Sequence, residues 1–189
     1  MGRNSWAAAV FCALAVLFTT ATVGASGDKV AFPADYAAGV MYTSHDLVEA
    51  KEFREFYITA TALAAAQNDQ PLPSGTVITL ARYNVQLDAD GDPIKDGNGH
   101  FIKTALKAFR VMEKRTGWGS EYLPRQRNGE WEYQAFLADG KVDERVDLSG
   151  CFKCHKNADS MNFMFTAAQL KSASQTDRSR GRVQQPGAH

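Results

Sequence analysis

Residues 76–87, which read TVITLARYNVQL, decide the fold class of this 189-residue chain. The segment is rich in β-branched and aromatic residues. Val77 and Thr79 fall on one face of an extended chain, and Ile78 and Leu80 fall on the other. An alternation of this kind, with a period of two residues, predicts a long β-strand over Thr76–Leu87.

Two later segments show the same alternation. Leu106–Lys114 is predicted as a strand, and Asn128-Gly129 is a turn signal that opens a hairpin into a strand over Glu130–Leu137. Residues 88–93 and 96–99 are rich in Asp, Asn and Gly and are predicted as turns. Together these segments predict an antiparallel sheet of four or five strands.

Helices are predicted on both sides of this β-rich region. Ser44 is a suitable N-cap for a long helix that runs to about Gln67, because apolar residues recur near a period of 3.6. A last helix is predicted from Thr166, and residues 171–189 are polar enough to predict a disordered tail. The predicted fold class is therefore α+β: a mainly antiparallel β-sheet with a long N-terminal helix and a C-terminal helical segment.

The C-terminal segment contains Cys151-Phe152-Lys153-Cys154-His155, a C-x-x-C-H motif that is the attachment signal for c-type haem. Each thiol can form a thioether with one haem vinyl group, and His155 is then the proximal iron ligand. Zinc sites and redox-active dithiols also use paired cysteines. A zinc site needs about four ligands, however, and the chain has no second cysteine pair. The motif favours one covalent haem c, with Cys151 and Cys154 as attachment residues.

The N-terminus is typical of a secretory signal peptide over residues 1–25. Arg3 precedes an apolar run over Trp6–Phe18, and small residues offer a cleavage site after Ala25. Cleavage would remove Cys12 and leave only the two cysteines of the motif. The sequence thus predicts a periplasmic domain over 26–170 without a stable membrane anchor, and an uncleaved anchor is the alternative.

The charge of the mature chain excludes some classes of partner. Removal of residues 1–25 removes one basic residue, so 20 basic residues face 21 acidic ones, a net charge of −1. Neither nucleic acid nor an anionic lipid surface is indicated by this balance.

Several residues are candidates for the surroundings of a haem. Met112, Met161 or Met164 could supply a sixth iron ligand, as in electron-carrier cytochromes, although Met112 also suits a core position. His45 and His100 are expected to be solvated. Asp147 could accept protons in a reaction at the iron, or it could cap a helix. Six aromatic residues could either line an apolar haem pocket or belong to the ordinary core: Phe109, Trp131, Tyr133, Phe152, Phe163 and Phe165. Arg110 and Lys114 share a strand face with Met112, where a cation could lie near the haem propionates or in solvent.

An ordered set of motifs resembles the cytochrome P-460 family, whose relatives include cytochrome c′-β. The matching segments span roughly residues 40–170 and are 74–78 (SGTVI), 111–115 (VMEKR), 117–119 (GWG), 127–133 (RNGEWEY) and 151–156 (CFKCHK). The resemblance implies a mainly antiparallel β fold, a homodimer and one haem c with five-coordinate iron bound by His155. Members of the P-460 type oxidise hydroxylamine, and members of the c′-β type bind nitric oxide.

One departure from the family pattern bears on function. The P-460 enzymes carry a lysine that is cross-linked to the haem, and the resemblance places that position near the end of the first long strand. Gln86 stands there, and its amide cannot make the amine bond. Lys95 and Lys103 follow in what are predicted to be turn and surface positions. Three hypotheses remain: hydroxylamine oxidation with electrons passed to a partner cytochrome, nitric oxide binding, and electron transfer by a six-coordinate periplasmic cytochrome.

Overall fold

A computed structural model describes residues 29–180 of the chain. Within this range five strands form one antiparallel sheet in which each strand pairs with the next along the chain. The strands are β1 (Val40–Leu47), β2 (Glu52–Ile58), β3 (Thr76–Val85), β4 (Lys103–Lys114) and β5 (Trp131–Leu137). The helices are α1 (Ala60–Gln67), α2 (Leu148–Lys156) and α3 (Ala167–Arg180). The predicted signal peptide lies outside the described residues.

The prediction of a long N-terminal helix over residues 44–67 is wrong, and with it the α+β description that included this helix. The segment forms the β1–β2 hairpin and the eight-residue helix α1. Lys51 has a φ of 49°, which turns the chain so that Leu47 pairs with Glu52. Apolar residues of β2 occur on both faces, which imitates a helical period, and pairing of β2 with β3 decides the outcome. The fold is mainly a five-stranded antiparallel sheet with three short helices.

The strands predicted in the second half of the domain are confirmed. β3 begins at Thr76 as predicted, β4 includes the predicted Leu106–Lys114, and β5 lies within the predicted Glu130–Leu137. The connection from β4 to β5 spans residues 115–130. It is longer than a simple hairpin turn at Asn128-Gly129.

The two faces of the sheet pack against different parts of the chain. The helical face, as we call it, lies under the three helices, and its buried core includes Ile78, Met112, Trp131, Tyr133 and Phe152. On the opposite face, Val30 and Phe32 pack onto Phe109 and Phe136. The haem motif therefore belongs to the helical face.

The C-terminal helix α3 begins one residue after the predicted start. It continues to Arg180, into the segment predicted as a tail, and residues 181–189 lie outside the described range. In the described part of the chain, we find no helix with the length and apolarity that crossing a membrane requires.

Candidate haem site

The haem motif lies on α2, and Asp147 determines where this helix begins. Asp147 Oδ1 accepts a hydrogen bond from the backbone N of Ser149 at 2.9 Å, and Oδ2 accepts one from Ser149 Oγ at 2.7 Å. These bonds hold the pKa of the Asp147 carboxyl below its usual range. The structure thus gives Asp147 the role of an exposed N-cap, one of the two roles open to it from sequence.

The two thiols of α2 are both reachable. Cys151 is half-buried against the core of the helical face, whereas Cys154 is exposed, and both are free. Burial raises the pKa of the Cys151 thiol. Residues three apart on a helix lie on the same side, so both sulfurs can approach one edge of a flat ligand.

The His155 ring is held in the orientation that an iron ligand needs. Its Nδ1 lies 2.7 Å from the carbonyl oxygen of Phe163. A carbonyl only accepts, so Nδ1 carries the proton and Nε2 keeps a lone pair for a metal. The ring lies 4.8 Å from the ring of Tyr133 and 5.3 Å from that of Phe165, centroid to centroid. Burial lowers the pKa of His155, which favours the neutral, ligating form.

The carbonyl that orients His155 belongs to a strained turn. Asn162 and Phe163 have φ angles of 54° and 61°, in the left-handed region that non-glycine residues rarely adopt. Each such residue costs on the order of 1 kcal/mol or more. The backbone N of Phe163 donates to the carbonyl of Ala158 at 2.7 Å, which holds the turn closed. The strain is thus located where the chain directs a carbonyl at His155.

A loop over residues 127–129 holds the other side of α2. Asn128 is 1% exposed, and its Nδ2 donates to the carbonyl of Phe152 at 2.9 Å and to the hydroxyl of Tyr133 at 3.0 Å. Lys156 Nζ donates to the carbonyl of Arg127 at 2.8 Å. The sequence showed Asn128-Gly129 only as a turn signal, so the positioning role of this loop was missed. The one available signal was its place in the ordered family motifs.

We expect Gly129→Ala to loosen the support of His155. Gly129 has a φ of 60°, and an added Cβ would meet the Phe163 ring at 3.0 Å. A strained backbone together with this contact is expected to cost about 1–2 kcal/mol of stability. Urea unfolding measures that cost, and the spectrum of the attached haem reports the orientation of His155. Gly91→Ala is the matched control, because Gly91 also has a positive φ but has nothing near its Cβ position. An unchanged haem spectrum in Gly129→Ala would contradict the link from Gly129 to His155.

The donor set fits a haem better than a zinc ion. Among residues 29–173, whose side chains the structure describes, no group of three or more His, Cys, Asp or Glu is placed to hold a metal ion. The pair of reachable thiols, together with a histidine whose Nε2 is free, instead matches what a porphyrin with two vinyl groups requires. Tyr133 and Phe165, on either side of His155, supply aromatic contacts.

The alternative iron ligands predicted from the sequence lie elsewhere. Met112 and Met164 are buried in the core of the helical face, which confirms the core reading of Met112. Met161 is 41% exposed in the turn after α2. The ring of His45 stacks on Phe56, and His100 Nδ1 lies 3.4 Å from a carboxylate oxygen of Asp46.

The aromatic and basic candidates divide between the two faces of the sheet. Phe109 packs on the opposite face with Phe32, so it cannot line a haem site on α2. The other five aromatic candidates belong to the helical face or lie beside His155. Lys114 Nζ donates to the carbonyl of Leu72 at 3.0 Å, whereas Arg110 lies near Cys151.

Gln86 is displaced along β3 from the level of Tyr133, the β5 residue beside His155. It follows the end of β3, eight residues after Ile78, and Ile78 lies level with Met112 and Tyr133 across the sheet. At about 3.3 Å per residue this is about 26 Å along the strand. The β3 residue that pairs with Arg110 on the helical face is Leu80, which also lacks an amine. Lys95 lies over Phe101, and Lys103 pairs with Glu55.

A family comparison agrees with this site. The model of the cytochrome P460 family matches residues 33–166. The chain belongs to the cytochrome P460 family. Membership implies a haem cofactor and the class of c-type haem cytochromes. The matched range begins before β1 and ends after Phe163, so it contains the sheet, α2 and the turn that orients His155. A comparison with curated proteins finds no match.

Proposed function

We propose that the protein is an exported monohaem cytochrome that binds nitric oxide. In this proposal Cys151 and Cys154 attach one haem covalently, and His155 is the proximal ligand of a five-coordinate iron. Such an iron supplies a vacant coordination position for a neutral diatomic gas. The resemblance to c′-β relatives motivates the choice of nitric oxide.

The observation that carries the proposal is the bond between His155 Nδ1 and the Phe163 carbonyl. It leaves Nε2 as the iron ligand on the same helix as both thiols. On the other side of the iron, the best candidates for a sixth ligand are engaged elsewhere. Met112 and Met164 are core residues, and His100 faces Asp46. This favours an open position over the six-coordinate electron carrier.

The surroundings favour gas binding over hydroxylamine oxidation. Neither Gln86 nor Leu80 can form the lysine cross-link of the P-460 enzymes. The Asp147 carboxylate is engaged with Ser149 at the surface, so we assign it to positioning α2 rather than to proton transfer.

Anaerobic titration of the reduced protein tests this assignment. We expect nitric oxide to change the absorption spectrum with one equivalent per haem, and hydroxylamine to cause no turnover with an artificial electron acceptor. Sustained hydroxylamine oxidation would support the enzyme hypothesis instead. A spectrum that nitric oxide leaves unchanged would support the six-coordinate carrier.

Export and assembly belong to the same proposal. Haem c is attached outside the bacterial cytoplasmic membrane, so a periplasmic location suits the motif. N-terminal sequencing of the mature protein is expected to start at Ser26, and light scattering is expected to show a dimer. A mature chain that retains residues 1–25 would contradict cleavage. We expect the haem to exchange electrons with a partner cytochrome.

A further inference from the structure

The helical face of the sheet carries a charged cluster beside the region that the helices cover. Glu52, which is fully buried, lies at its centre. Arg82 Nη2 donates to Glu52 Oε1 at 2.5 Å, and Lys107 Nζ donates to the same oxygen at 2.7 Å. Arg54 Nη2 donates to Glu52 Oε2 at 3.2 Å. Arg110 lies nearby on β4, close enough to feel the charges of Arg82 and Glu52. We call Arg54, Arg82, Lys107 and Arg110 the basic cluster.

The cluster has more positive charge than its own carboxylate can balance. Arg54, Arg82 and Lys107 donate to Glu52, and Arg110 lies nearby, so four cations and one carboxylate leave a net charge of +3. Asp143, whose charge also acts on Arg110, is paired with Arg145. Both arginines that bind Glu52 are well packed, with side-chain exposures of 22% for Arg54 and 18% for Arg82. The Lys107 side chain is 44% exposed, so solvent screens part of the excess charge, and a further anion would reduce the repulsion among the packed arginines. The cluster is therefore built for a further anionic partner.

Arg110 is the member with unused hydrogen-bonding capacity. Its Nη1 donates to the carbonyl of Phe109 at 2.8 Å, and no carboxylate within residues 29–173 lies within 4.0 Å of its nitrogens. Burial, and then repulsion from Arg82, lower the pKa of Arg110. A guanidinium remains charged in proteins and can bind a carboxylate through two parallel bonds.

The strand register places the cluster on one line with the haem motif. Tyr133, beside His155, lies two residues from Ala135, and Ala135 pairs with Arg110. Arg110 pairs with Leu80, and Arg82 is the next residue of β3 on the same face. Tyr133 and Arg82 are two strands apart across the sheet and four residues apart along the strands. These two offsets together give a distance of about 16 Å. Arg110 lies midway, near enough to Cys151 for their charges to interact.

We propose that the basic cluster binds the two propionate groups of the haem. The inference rests on the proposed attachment at Cys151 and Cys154. A haem joined to α2 by its vinyl groups has its propionates on the opposite side of the ring. Arg110, then Arg82 and then Arg54 lie successively further from Cys151 across the sheet, in the direction in which the propionates would extend. Two propionates would reduce the net charge of this region from +3 to +1.

Resonance Raman spectroscopy of the holoprotein tests the proposal, because the propionate bending band responds to hydrogen bonds at the carboxylates. The main variant is Arg110→Gln, which leaves the bonds to Glu52 intact. We expect the band to shift, and the haem midpoint potential to fall because a cation no longer stabilises the reduced state. Arg110→Lys keeps the charge and is expected to restore the potential but not the band. Lys141→Gln, which removes an exposed cation paired with Asp139, is expected to change neither.

An unchanged band and potential in Arg110→Gln, in protein that retains haem, would overturn the proposal. Arg82→Gln gives a second, independent test and is expected to shift the same band. These results are separable from the proposed function. A shifted band in a protein that fails to bind nitric oxide would keep this inference and contradict the gas-binding proposal. A wild-type protein without covalent haem would contradict the attachment on which both rest.

Discussion

Protein in which Cys151 and Cys154 are both changed to serine is expected to contain no haem that survives denaturation. A thioether needs a sulfur, and these are the two cysteines within the described residues. Each single variant keeps one thiol on α2 and is expected to retain haem through one bond, with a shifted absorption spectrum. A haem-stained denaturing gel measures retention, and the intact mass shows whether one haem is attached.

Cys12→Ala is the matched control for this experiment. Cys12 lies in the predicted signal peptide, so its loss is expected to leave haem attachment unchanged. Haem that stays bound to the double serine variant after denaturation would contradict covalent attachment at α2. A wild-type mass that corresponds to two haems would contradict a monohaem protein.

Glu52→Gln is expected to lower the free energy of unfolding by about 3 kcal/mol, because it removes the buried negative charge that pairs with Arg82 and Lys107. The amide can keep some hydrogen bonds but not the charge. Urea unfolding at neutral pH measures the loss. Asp139→Asn, which affects an exposed pair with Lys141, is the control and is expected to cause little change.

The effect of Glu52 should depend on pH in a defined direction. Burial alone would raise the pKa of Glu52, but hydrogen bonds from Arg82 and Lys107 outweigh it and hold the pKa at about 2. A carboxyl with a depressed pKa stabilises the fold above its ordinary pKa and loses this contribution as the pH falls towards the folded value. The difference between wild type and Glu52→Gln should therefore be full at pH 7 and decrease between about pH 4.5 and 2. A difference that is constant across this range would contradict the charged role of Glu52.

The strands after residue 75 could be predicted because their local signals agree with the final structure. In β5, Trp131 and Tyr133 alternate with Glu132 and Gln134. The two aromatic residues share one face of the strand and pack in the same core cluster as Phe152 of α2. The first hairpin was not predictable in the same way. Apolar residues of β2 contribute to both faces, and only pairing with β3, whose partner residues lie 20 to 32 positions further along the chain, selects the strand over the helix.

The candidate haem-binding residues are visible in the sequence, whereas the residues that hold them in place are not. Cys151, Cys154 and His155 are adjacent in sequence, so their motif is visible without a structure. The carbonyl of Phe163 and the amide of Asn128 act through contacts that the turn after α2 and the loop before β5 create. A backbone carbonyl has no sequence signal of its own, and a buried asparagine before a glycine resembles any turn.

The residues of the basic cluster could not be grouped from the sequence either. Arg110 was a candidate because it shares a face with Met112, and Lys114 was equally eligible by that criterion. The register separates them, since Arg110 lies towards Arg82 and Lys114 lies towards Leu72. Arg54 is brought in by the hairpin that the sequence pattern presented as a helix.

The spin state of the reduced protein without added ligand tests the central claim most directly. Absorption and magnetic circular dichroism spectra of the purified ferrous protein report whether the iron has one protein ligand or two. An open position opposite His155 predicts a high-spin, five-coordinate spectrum with an ordinary c-type Soret band. A low-spin, six-coordinate spectrum, with a second ligand from the protein, would contradict the account.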